Sequence, residues 1–415
     1  MRILIYPMGS FGDVHPFIGV GKALQARGHE VFIITSGYFE DLVKRAGIEF
    51  RGIGTAEDFE RVQDDPDLWH PTKAFGTLVE KALNVSYGPI LDYARELNKP
   101  GETVMLAGSL AFGTRNAREL LDIPLATVHL APSLFISSYR MPLMHGAPIP
   151  QWAPRFLKRF QWWAGNRVAD GHILPELNRF RREHGLKPVR RVILDWWHSP
   201  DRVIGLFPEW FGPPQPDWPP QTRLTGFPMF DEQGMHELPP ELEEFLQAGD
   251  PPVVFTPGSA MAHGHEFFAE GVKALELTGR RGLLLSRFPE TIPGSLPDSV
   301  KHFKYVPFSD VLPRSAALVY HGGVGTCAQA LRAGIPHFIQ HMAHDQLDNL
   351  SRVRDLGVGD GLAPKQFKAR RIAKVLDDLL GNPAVISRAR ELAESFDTEL
   401  WMHRTCELVE ALGNK

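Results

Sequence analysis

The chain has 415 residues, more than one hydrophobic core usually serves, so two domains of roughly 200 residues each are expected. Its composition is 43% hydrophobic and 23% charged with a formal net charge of -4, which lacks the positive excess of a nucleic-acid-binding protein. The two cysteines, Cys327 and Cys406, are far apart and exclude a disulfide framework or a cysteine-rich zinc site.

The amino-terminal stretch 1–7 has one basic residue and an apolar run too short for a signal peptide. No later stretch approaches the roughly 18 apolar residues of a membrane-spanning helix. The sequence therefore predicts a cytoplasmic protein.

The first half alternates between strand and helix patterns. Strands are predicted at 2–6, 31–34, 104–106 and 125–128, and helices at 17–26 and 113–121. Such alternation is typical of a mostly parallel sheet with helical crossovers. We predict a first α/β domain over residues 1–212.

Prolines cluster between Phe211 and Glu232, in a stretch that cannot hold a regular helix or central strand. This predicts an interdomain linker at 213–232 and a second α/β domain at 233–396. Strands are predicted there at 253–256, 282–285, 317–320 and 337–340, and helices at 267–277 and 326–333. A carboxy-terminal helix at 397–415 is predicted to pack back on the first domain.

The strongest chemical signal is the segment 317–326, in which an apolar strand ends in His321-Gly322-Gly323-Val324-Gly325-Thr326 and a helix follows. Glycines let the main chain approach a ligand closely, and a helix start offers free N–H groups to phosphate oxygens. His321 and Thr326 add side-chain donors. The alternative is a tight turn with a structural histidine.

A second polar loop, His344-Asp345-Gln346-Leu347-Asp348-Asn349, follows the apolar stretch 338–342. Strand ends of this kind present ligand groups in open α/β sheets. A carboxylate beside an amide, as in Asp345 and Gln346, suits sugar hydroxyls. The alternative is that Asp345 only caps the next helix.

The loop 9–16, Gly9-Ser10-Phe11-Gly12-Asp13-Val14-His15-Pro16, follows the first strand. It lacks the third glycine of a dinucleotide-binding loop, and a carboxylate would face a pyrophosphate unfavourably. Asp13 suits proton abstraction better. A helix-start role for Asp13 is an equally weighted alternative.

These three segments together resemble the bacterial family 1 glycosyltransferases of the GT-B superfamily. Further stretches are similar to the rhamnosyltransferases of rhamnolipid synthesis, namely Asp65-Pro66-Asp67-Leu68-Trp69, Trp196-Trp197-His198-Ser199-Pro200, Leu206-Phe207-Pro208 and Thr225-Gly226-Phe227-Pro228. The resemblance implies an α/β fold of two Rossmann-like domains whose parallel sheets face each other across a cleft.

The resemblance also implies roles for individual residues. It implies that the donor diphosphate is held by His321, Gly323, Gly325, Thr326 and Ser259, the nucleobase and ribose by Tyr305, Val306, Phe308 and Gln329, the donor sugar by Asp345 and Gln346, and the catalytic base by Asp13 with His15 as its competitor. Many relatives carry Trp where Tyr305 stands and Glu where Gln329 stands.

The implied reaction is a direct displacement that inverts the anomeric configuration, with UDP- or dTDP-glucose or -rhamnose as donor. Donors fixed at a helix start would stabilise the leaving diphosphate, so neither a metal nor a cofactor is expected. The string Asp65-Pro66-Asp67 follows no apolar strand and predicts a surface turn rather than a magnesium site.

The segment 151–167 mixes five aromatic residues, Trp152, Phe156, Phe160, Trp162 and Trp163, with basic ones. It is open to two functional interpretations, an apolar cleft for a hydrophobic hydroxyl-bearing acceptor or a peripheral contact with a membrane surface. The alternative is a helix whose aromatic residues are buried on the core.

Two other functions use the same kind of architecture. A sugar-nucleotide epimerase would also hold a diphosphate at a helix start, and a non-catalytic protein could bind sugar nucleotides. The His-Gly-Gly segment with Asp345 and Gln346 favours a transferase. The sequence does not define an oligomeric state.

Overall fold

The computed structural model describes residues 1–69, 73–144, 146, 149–231, 238–258 and 264–413. These residues form two compact units. The first contains Met1–Pro228 together with Thr398–Lys415, and the second contains Met229–Asp397.

The first unit alternates strands and helices from its start. Its elements are β1 (Arg2–Tyr6), α1 (Phe11–Ala26), β2 (Glu30–Thr35), α2 (Glu40–Arg45), β3 (Glu49–Gly52), α3 (Ala56–Gln63), α4 (Ala74–Leu78), α5 (Asn84–Leu97), β4 (Thr103–Gly108), α6 (Gly113–Leu121), β5 (Leu125–His129), α7 (Arg155–Glu183), β6 (Arg202–Gly205) and β7 (Thr222–Leu224).

The strands form one parallel sheet in the order β3-β2-β1-β4-β5-β6-β7. The central strands are apolar runs without alternation because helices cover both faces, and Ile3, Leu4 and Ile5 of β1 are wholly buried. From β1 the chain first adds β2 and β3 on one side and then β4 to β7 on the other side. The start of α1 therefore lies at the point where the strand order reverses, which is where open α/β sheets bind ligands.

The second unit continues the alternation. Its elements are α8 (Pro240–Gln247), β8 (Val253–Thr256), α9 (His265–Thr278), β9 (Gly282–Leu285), β10 (Val300–Phe303), α10 (Phe308–Val311), β11 (Ala317–Tyr320), α11 (Val324–Ala333), β12 (His337–Gln340), α12 (Gln346–Asp355), β13 (Gly359–Leu362), α13 (Ala369–Leu380) and α14 (Pro383–Glu394).

Its sheet is also parallel, in the order β10-β9-β8-β11-β12-β13. Phe255 and Val319 of the central strands pack against Phe268 of α9 and Ile372 of α13 in one apolar core. The predicted fold class is therefore confirmed, because each unit has a parallel sheet with helices around it.

The chain ends on the first unit, where α15 (Thr398–Glu410) packs against α1. Glu410 accepts hydrogen bonds from Arg27 at 2.7 Å and from His29 at 2.8 Å. Gly226 adopts a φ of +129°, and a Cβ there would lie 2.1 Å from the ring of Trp401. Only glycine fits this contact between the chain end and the proline-rich segment.

The proline-rich segment differs from the predicted linker of 213–232. Most of it belongs to the first unit, which extends to Pro228, and it supplies the edge strand β7, hydrogen-bonded to β6. β7 itself contains no proline, since the prolines of this segment up to Pro220 precede it. The proline cluster therefore lies within the first unit, just before the boundary between the two units, and is not a linker outside both of them.

Two buried histidines in the first unit make its stability depend on pH. The ring centroids of His129 and His198 lie 5.1 Å apart, among the rings of Phe135 and Trp197. Burial lowers the pKa of His198 to about 4 and that of His129 well below its ordinary value. Both rings are therefore neutral in the folded protein at neutral pH.

We predict that acid destabilises the first unit through these rings. The histidine pKa is about 6.5 in the unfolded chain and lower in the folded protein. At a pH between these two values the unfolded chain binds more protons than the folded one, so the free energy of unfolding, which is highest above pH 6.5, decreases as the pH falls. Each ring contributes about 1.4 kcal/mol per pH unit over that range. In His198→Phe, which keeps the ring packing, the melting temperature should fall less steeply from pH 7 to 5. His403→Gln, at an exposed site, is the control, and equal slopes in all three proteins would contradict the prediction.

Candidate active site

The glycine loop of the second unit joins β11 to α11 through His321, Gly322 and Gly323. Gly322 has a φ of +97°, and a Cβ there would lie 2.7 Å from Cγ2 of Ile339. A larger residue would therefore move the loop off the sheet. At Gly325, in the first turn of α11, a Cβ would meet no atom within 4 Å, so this side of the helix start is open.

His321 lies against two of the glycines. A Cβ on Gly258 or Gly323 would approach its ring to 2.8 Å or 2.5 Å. Burial, with a smaller effect of His344, lowers the pKa of His321 to about 4, so the ring is neutral at physiological pH. Its Nδ1 has no hydrogen-bond partner among the described residues. A neutral ring with an unused buried nitrogen can donate to a phosphate oxygen without a charge to desolvate.

Asp345 and Asn349 connect the second polar loop to the glycine loop. The Nδ2 of Asn349 donates to the carbonyl oxygen of Gly322 at 2.9 Å and to Oδ2 of Asp345 at 2.8 Å. Asp345 occupies the N-cap position of α12, yet its side chain makes no capping hydrogen bond. Its carboxylate therefore accepts from the side chain of Asn349 instead of capping the backbone amides of α12, and burial raises its pKa.

Gln346 fixes the polar loop from the inside. Its side-chain oxygen accepts from the amides of Met342 at 2.6 Å and Ala343 at 3.0 Å. His344, within this loop, has a φ of +54°, a left-handed conformation uncommon for such a residue. Because the oxygen is used, the amide nitrogen of Gln346 is the group with which it would bind a sugar hydroxyl.

Asn349 was not among the predicted site residues, although its spacing of four from Asp345 on a helix could have pointed to it.

We predict that Asn349→Ala weakens donor binding about tenfold, since it separates the polar loop from the glycine loop and leaves the Asp345 carboxylate without its donor. Isothermal calorimetry with the nucleotide sugar measures this. The control is Asn382→Ala, which removes a helix cap in the same unit and should lower only the melting temperature; equal donor affinities in both variants would contradict the prediction.

The predicted base-binding segment, Tyr305, Val306 and Phe308, is held by Asp231. The hydroxyl of Tyr305 donates to the carbonyl oxygen of Asp231 at 2.9 Å, and the amide of Ser309 donates to its Oδ2 at 2.8 Å. The side chain of Val306 is buried, so only its backbone is available to a base. Asp231 was not among the predicted site residues, because no local pattern signals a partner 74–78 residues away.

The remaining predicted residues of the second unit are placed as follows. Phe308 opens α10 and is half-buried, Thr326 is half-buried in the first turn of α11, and Gln329 is buried further along that helix. The predicted phosphate contact Ser259 lies outside the described residues. Cys327 is fully buried, and burial raises the pKa of its thiol to about 12, which makes it a core residue rather than a nucleophile.

In the first unit, Asp13 lies in the first turn of α1. Its Oδ2 accepts from the amide of Ser10 at 2.7 Å and from the Ser10 hydroxyl at 3.1 Å. Gly9 has a φ of +131°, and a Cβ there would lie 2.3 Å from Oδ2. Asp13 therefore has the helix-start role that the sequence left open, at a strand end where a catalytic base is also expected.

His15 is two residues beyond Asp13 and packs its ring edge-on against Phe11, with centroids 5.5 Å apart. Residues two apart on a helix do not face each other. Asp13 and His15 therefore present their side chains in different directions and are alternatives for the base rather than a pair.

Asp65 immediately precedes, and Asp67 lies within, a short 3₁₀ helix at Pro66–Trp69, in the turn expected from the sequence. Asp65 is ion-paired with Lys81, and Asp67 lies 3.0 Å from the ammonium group of Lys73. In the part of the chain that the structure describes, no group of three or more histidine, cysteine or acidic side chains is arranged to hold a metal ion.

The chain is similar to known glycosyltransferases in two segments and over its whole length. Residues 3–87 match the N-terminal domain of glycosyltransferase family 28, and residues 288–401 match the C-terminal domain of proteins like erythromycin biosynthesis protein CIII. The chain is 31% identical to O-mycaminosyltylonolide 6-deoxyallosyltransferase of Streptomyces fradiae, over 99% of this chain and 97% of that relative. It is 27% identical to a sterol 3-beta-glucosyltransferase of Kluyveromyces lactis, over 94% of this chain and 33% of that relative.

Solved structures agree on the fold. The glycosyltransferase of kitacinnamycin superposes with a TM-score of 0.77 at 20% identity, over 99% of this chain and 98% of that one. The spinosyn rhamnosyltransferase SpnG complexed with thymidine diphosphate superposes with a TM-score of 0.67 at 19% identity, over 99% and 100%. Likeness at such identities defines the fold alone.

Together the fold, the site and the whole-length relative define a class, the glycosyltransferases of GT-B fold. Within it the chain belongs to the family of the Streptomyces fradiae deoxyallosyltransferase. The chain is therefore an enzyme that transfers a glycosyl group, and neither the epimerase nor the non-catalytic alternative is retained.

Proposed function

We propose that this enzyme transfers a hexose from a UDP- or dTDP-sugar to a hydroxyl group of a hydrophobic small molecule or lipid, with inversion and without a metal ion. One observation carries the proposal most directly. The ring of His321 lies between Gly258, on the side of its unpartnered Nδ1, and Gly323, the N-cap of α11, on the side of its Nε2. Asn349 bonds this glycine loop to Asp345. A diphosphate and a sugar joined to it would have adjacent sets of donors and acceptors.

The chemistry follows from where charge develops. As the bond between the anomeric carbon and the diphosphate breaks, negative charge grows on the leaving oxygen, and fixed N–H donors stabilise that state more than the ground state. A helix start and a neutral imidazole supply such donors without a cation. Attack of the acceptor oxygen from the opposite side, assisted by a base, inverts the anomeric configuration in one step.

The names of the relatives support the choice of substrates. The sugars in the names of the whole-length relative and of one structural neighbour are deoxyhexoses, allose and rhamnose types, and that neighbour was solved with thymidine diphosphate. The acceptors in the names of two relatives are O-mycaminosyltylonolide and sterols, and a sterol is an apolar alcohol. We accordingly propose dTDP-rhamnose or a related dTDP-deoxyhexose as the first donor to test, with UDP-glucose second.

The donor is tested by thermal stabilisation of the purified protein with UDP, dTDP and their glucose and rhamnose conjugates. A ligand present at 100 times its Kd stabilises the folded state by about 2.7 kcal/mol, which raises the melting temperature by several degrees. We expect one nucleotide to give a clearly larger shift than the other. No shift with any of them would overturn the proposed donor class.

Transfer itself is tested by nucleoside diphosphate release with and without hydrophobic alcohols, phenols and hydroxy fatty acids. A transferase releases nucleotide quickly only when an acceptor is present. Addition of EDTA should leave the rate unchanged, because the leaving charge is met by backbone and imidazole N–H groups. A loss of rate with EDTA that magnesium restores would contradict the metal-independent mechanism.

A further inference from the structure

The first half of α7 carries large aromatic side chains to the surface. Phe156, Phe160 and Trp163 are exposed by 69%, 61% and 52%, and Trp152, just before the helix, by 85%. These four residues are called the aromatic face. Of the five aromatic residues in this segment, only Trp162 is half-buried, and its Nε1 donates to the carbonyl oxygen of Ser137 at 3.3 Å. Burial on the core therefore does not explain the other four.

The exposure follows from helical spacing. Positions 156, 160, 163 and 167 recur every three or four residues and define one stripe about 16 Å long, ending in Arg167. The side of α7 that packs on the core is a different one, with Ala169, Ile173 and Leu177 buried. The helix thus has a second apolar stripe that the fold of the first unit does not use.

Basic residues accompany the stripe. Arg155, Arg159 and Arg167 are exposed, and no aspartate or glutamate occurs between residues 151 and 169. The guanidinium of Arg167 lies 5.6 Å from the centre of the Trp163 ring, which in turn stacks on Phe160. Aromatic rings beside arginines, without acidic residues among them, are complementary to a surface that is apolar within and negatively charged at its boundary.

We propose that the aromatic face docks this enzyme on an anionic lipid bilayer. The rings enter the boundary between headgroups and acyl chains, while Arg159 and Arg167 meet lipid phosphates. The guanidinium of Arg155 lies over the ring of Tyr139. A second copy of the chain is a poorer occupant, since a two-fold interface would set these arginines against the same arginines.

Docking of this kind is peripheral. Across the described parts of the chain, there is no helix with the length and apolar character needed to cross a bilayer. The inference goes beyond the transfer reaction, because it concerns where the enzyme meets an apolar acceptor rather than how it glycosylates one. Binding to vesicles can be measured without donor or acceptor, so its failure is distinct from failure of the proposed function.

The test is sedimentation of the full-length protein with vesicles of phosphatidylcholine alone or with 40% phosphatidylglycerol, where the mixture is on the order of the charge of anionic cell membranes. We expect binding to the anionic vesicles, weakened at least tenfold by raising the salt and by removing phosphatidylglycerol. The double variant Phe160→Ser, Trp163→Ser should lose at least tenfold in affinity, and Arg159→Gln, Arg167→Gln should lose most of the salt dependence.

Matched controls are Leu277→Ser, at another exposed apolar side chain, and Arg61→Gln, at another exposed arginine; both should bind vesicles as the unaltered protein does. All substitutions are at exposed positions, and their melting temperatures verify the fold. The proposal is overturned if the unaltered protein ignores anionic vesicles, or if the aromatic variant binds them equally well. It is also overturned if light scattering shows a dimer that the aromatic substitutions dissociate, which would assign the face to a second copy.

Discussion

His321→Ala should weaken donor binding by about 10- to 100-fold and lower kcat by about 100- to 1,000-fold. The first figure is the loss of one hydrogen bond to a charged group, about 1.5–3 kcal/mol. The second is typical of removing one fixed donor to an oxyanion, and it is larger because the diphosphate gains charge as it leaves. Calorimetry with the donor and initial rates of transfer measure the two effects separately.

The physical reason lies in the environment of the ring. Burial holds the pKa of His321 at about 4, so the imidazole binds as a neutral donor and donor affinity should stay constant between pH 6 and 8. His321→Asn is the matched variant, because its amide can present an N–H near the position of Nδ1 and should recover part of the lost rate.

His302→Ala provides the control at another histidine of the second unit. His302 lies 3.0 Å from the carbonyl oxygen of Ser286 and has no place in the glycine loop, so donor affinity should not change. If His321→Ala binds and transfers like the unaltered enzyme while remaining folded, the diphosphate is held elsewhere and the proposed donor site is wrong.

Much of the architecture could be predicted from local sequence because the central strands are buried on both faces. The strands predicted at 2–6, 253–256, 282–285, 317–320 and 337–340 are those observed, since an apolar run without alternation has no other place in an α/β fold. The four edge strands, β3, β7, β10 and β13, were not predicted, and neither was β6. β13 contains Gly359, Asp360 and Gly361, and it is a strand only because β12 supplies its hydrogen bonds.

Helix boundaries were less predictable for a similar reason. A helix was predicted from Phe17, yet α1 begins at Phe11 and continues through Pro16. Pro16 is the sixth residue of α1 and removes one helical hydrogen bond there, while the Ser10–Asp13 contacts fix the first turn before it. That capping contact cannot be inferred from apolar spacing.

In the candidate site, too, some residues could be chosen from local sequence and others only from the folded structure. His321, Asp345 and Gln346 follow buried strands, so strand ends and glycines led to their selection as candidate site residues. Asn349 and Asp231 act on residues 27 and 74–78 positions away, through hydrogen bonds that only the folded chain brings about. Local patterns therefore suggested the strand-end residues of the candidate site but not the residues that hold them in place.

The second large effect is expected at the base. Asp13→Asn should leave donor affinity within about twofold and lower kcat by about 100- to 10,000-fold, the usual contribution of a general base. The asparagine oxygen can still accept from the amide of Ser10, so the start of α1 is retained, but the amide cannot take up the acceptor proton. Donor titration and single-turnover transfer distinguish binding from chemistry.

Two further variants separate catalysis from capping. Ser10→Ala removes the 3.1 Å hydroxyl contact with Asp13 and the part of the capping box that the Ser10 side chain supplies. A kcat close to that of the unaltered enzyme would therefore show that capping alone does not explain the effect at Asp13. His15→Gln tests the competing residue, which presents its side chain in a different direction from α1. If His15→Gln loses transfer while Asp13→Asn keeps it, the base is His15 and Asp13 serves only the helix start. If Asp13→Asn loses transfer while His15→Gln keeps it, Asp13 removes the proton. Ser10 and Gly9 then fix the position of the Asp13 carboxylate.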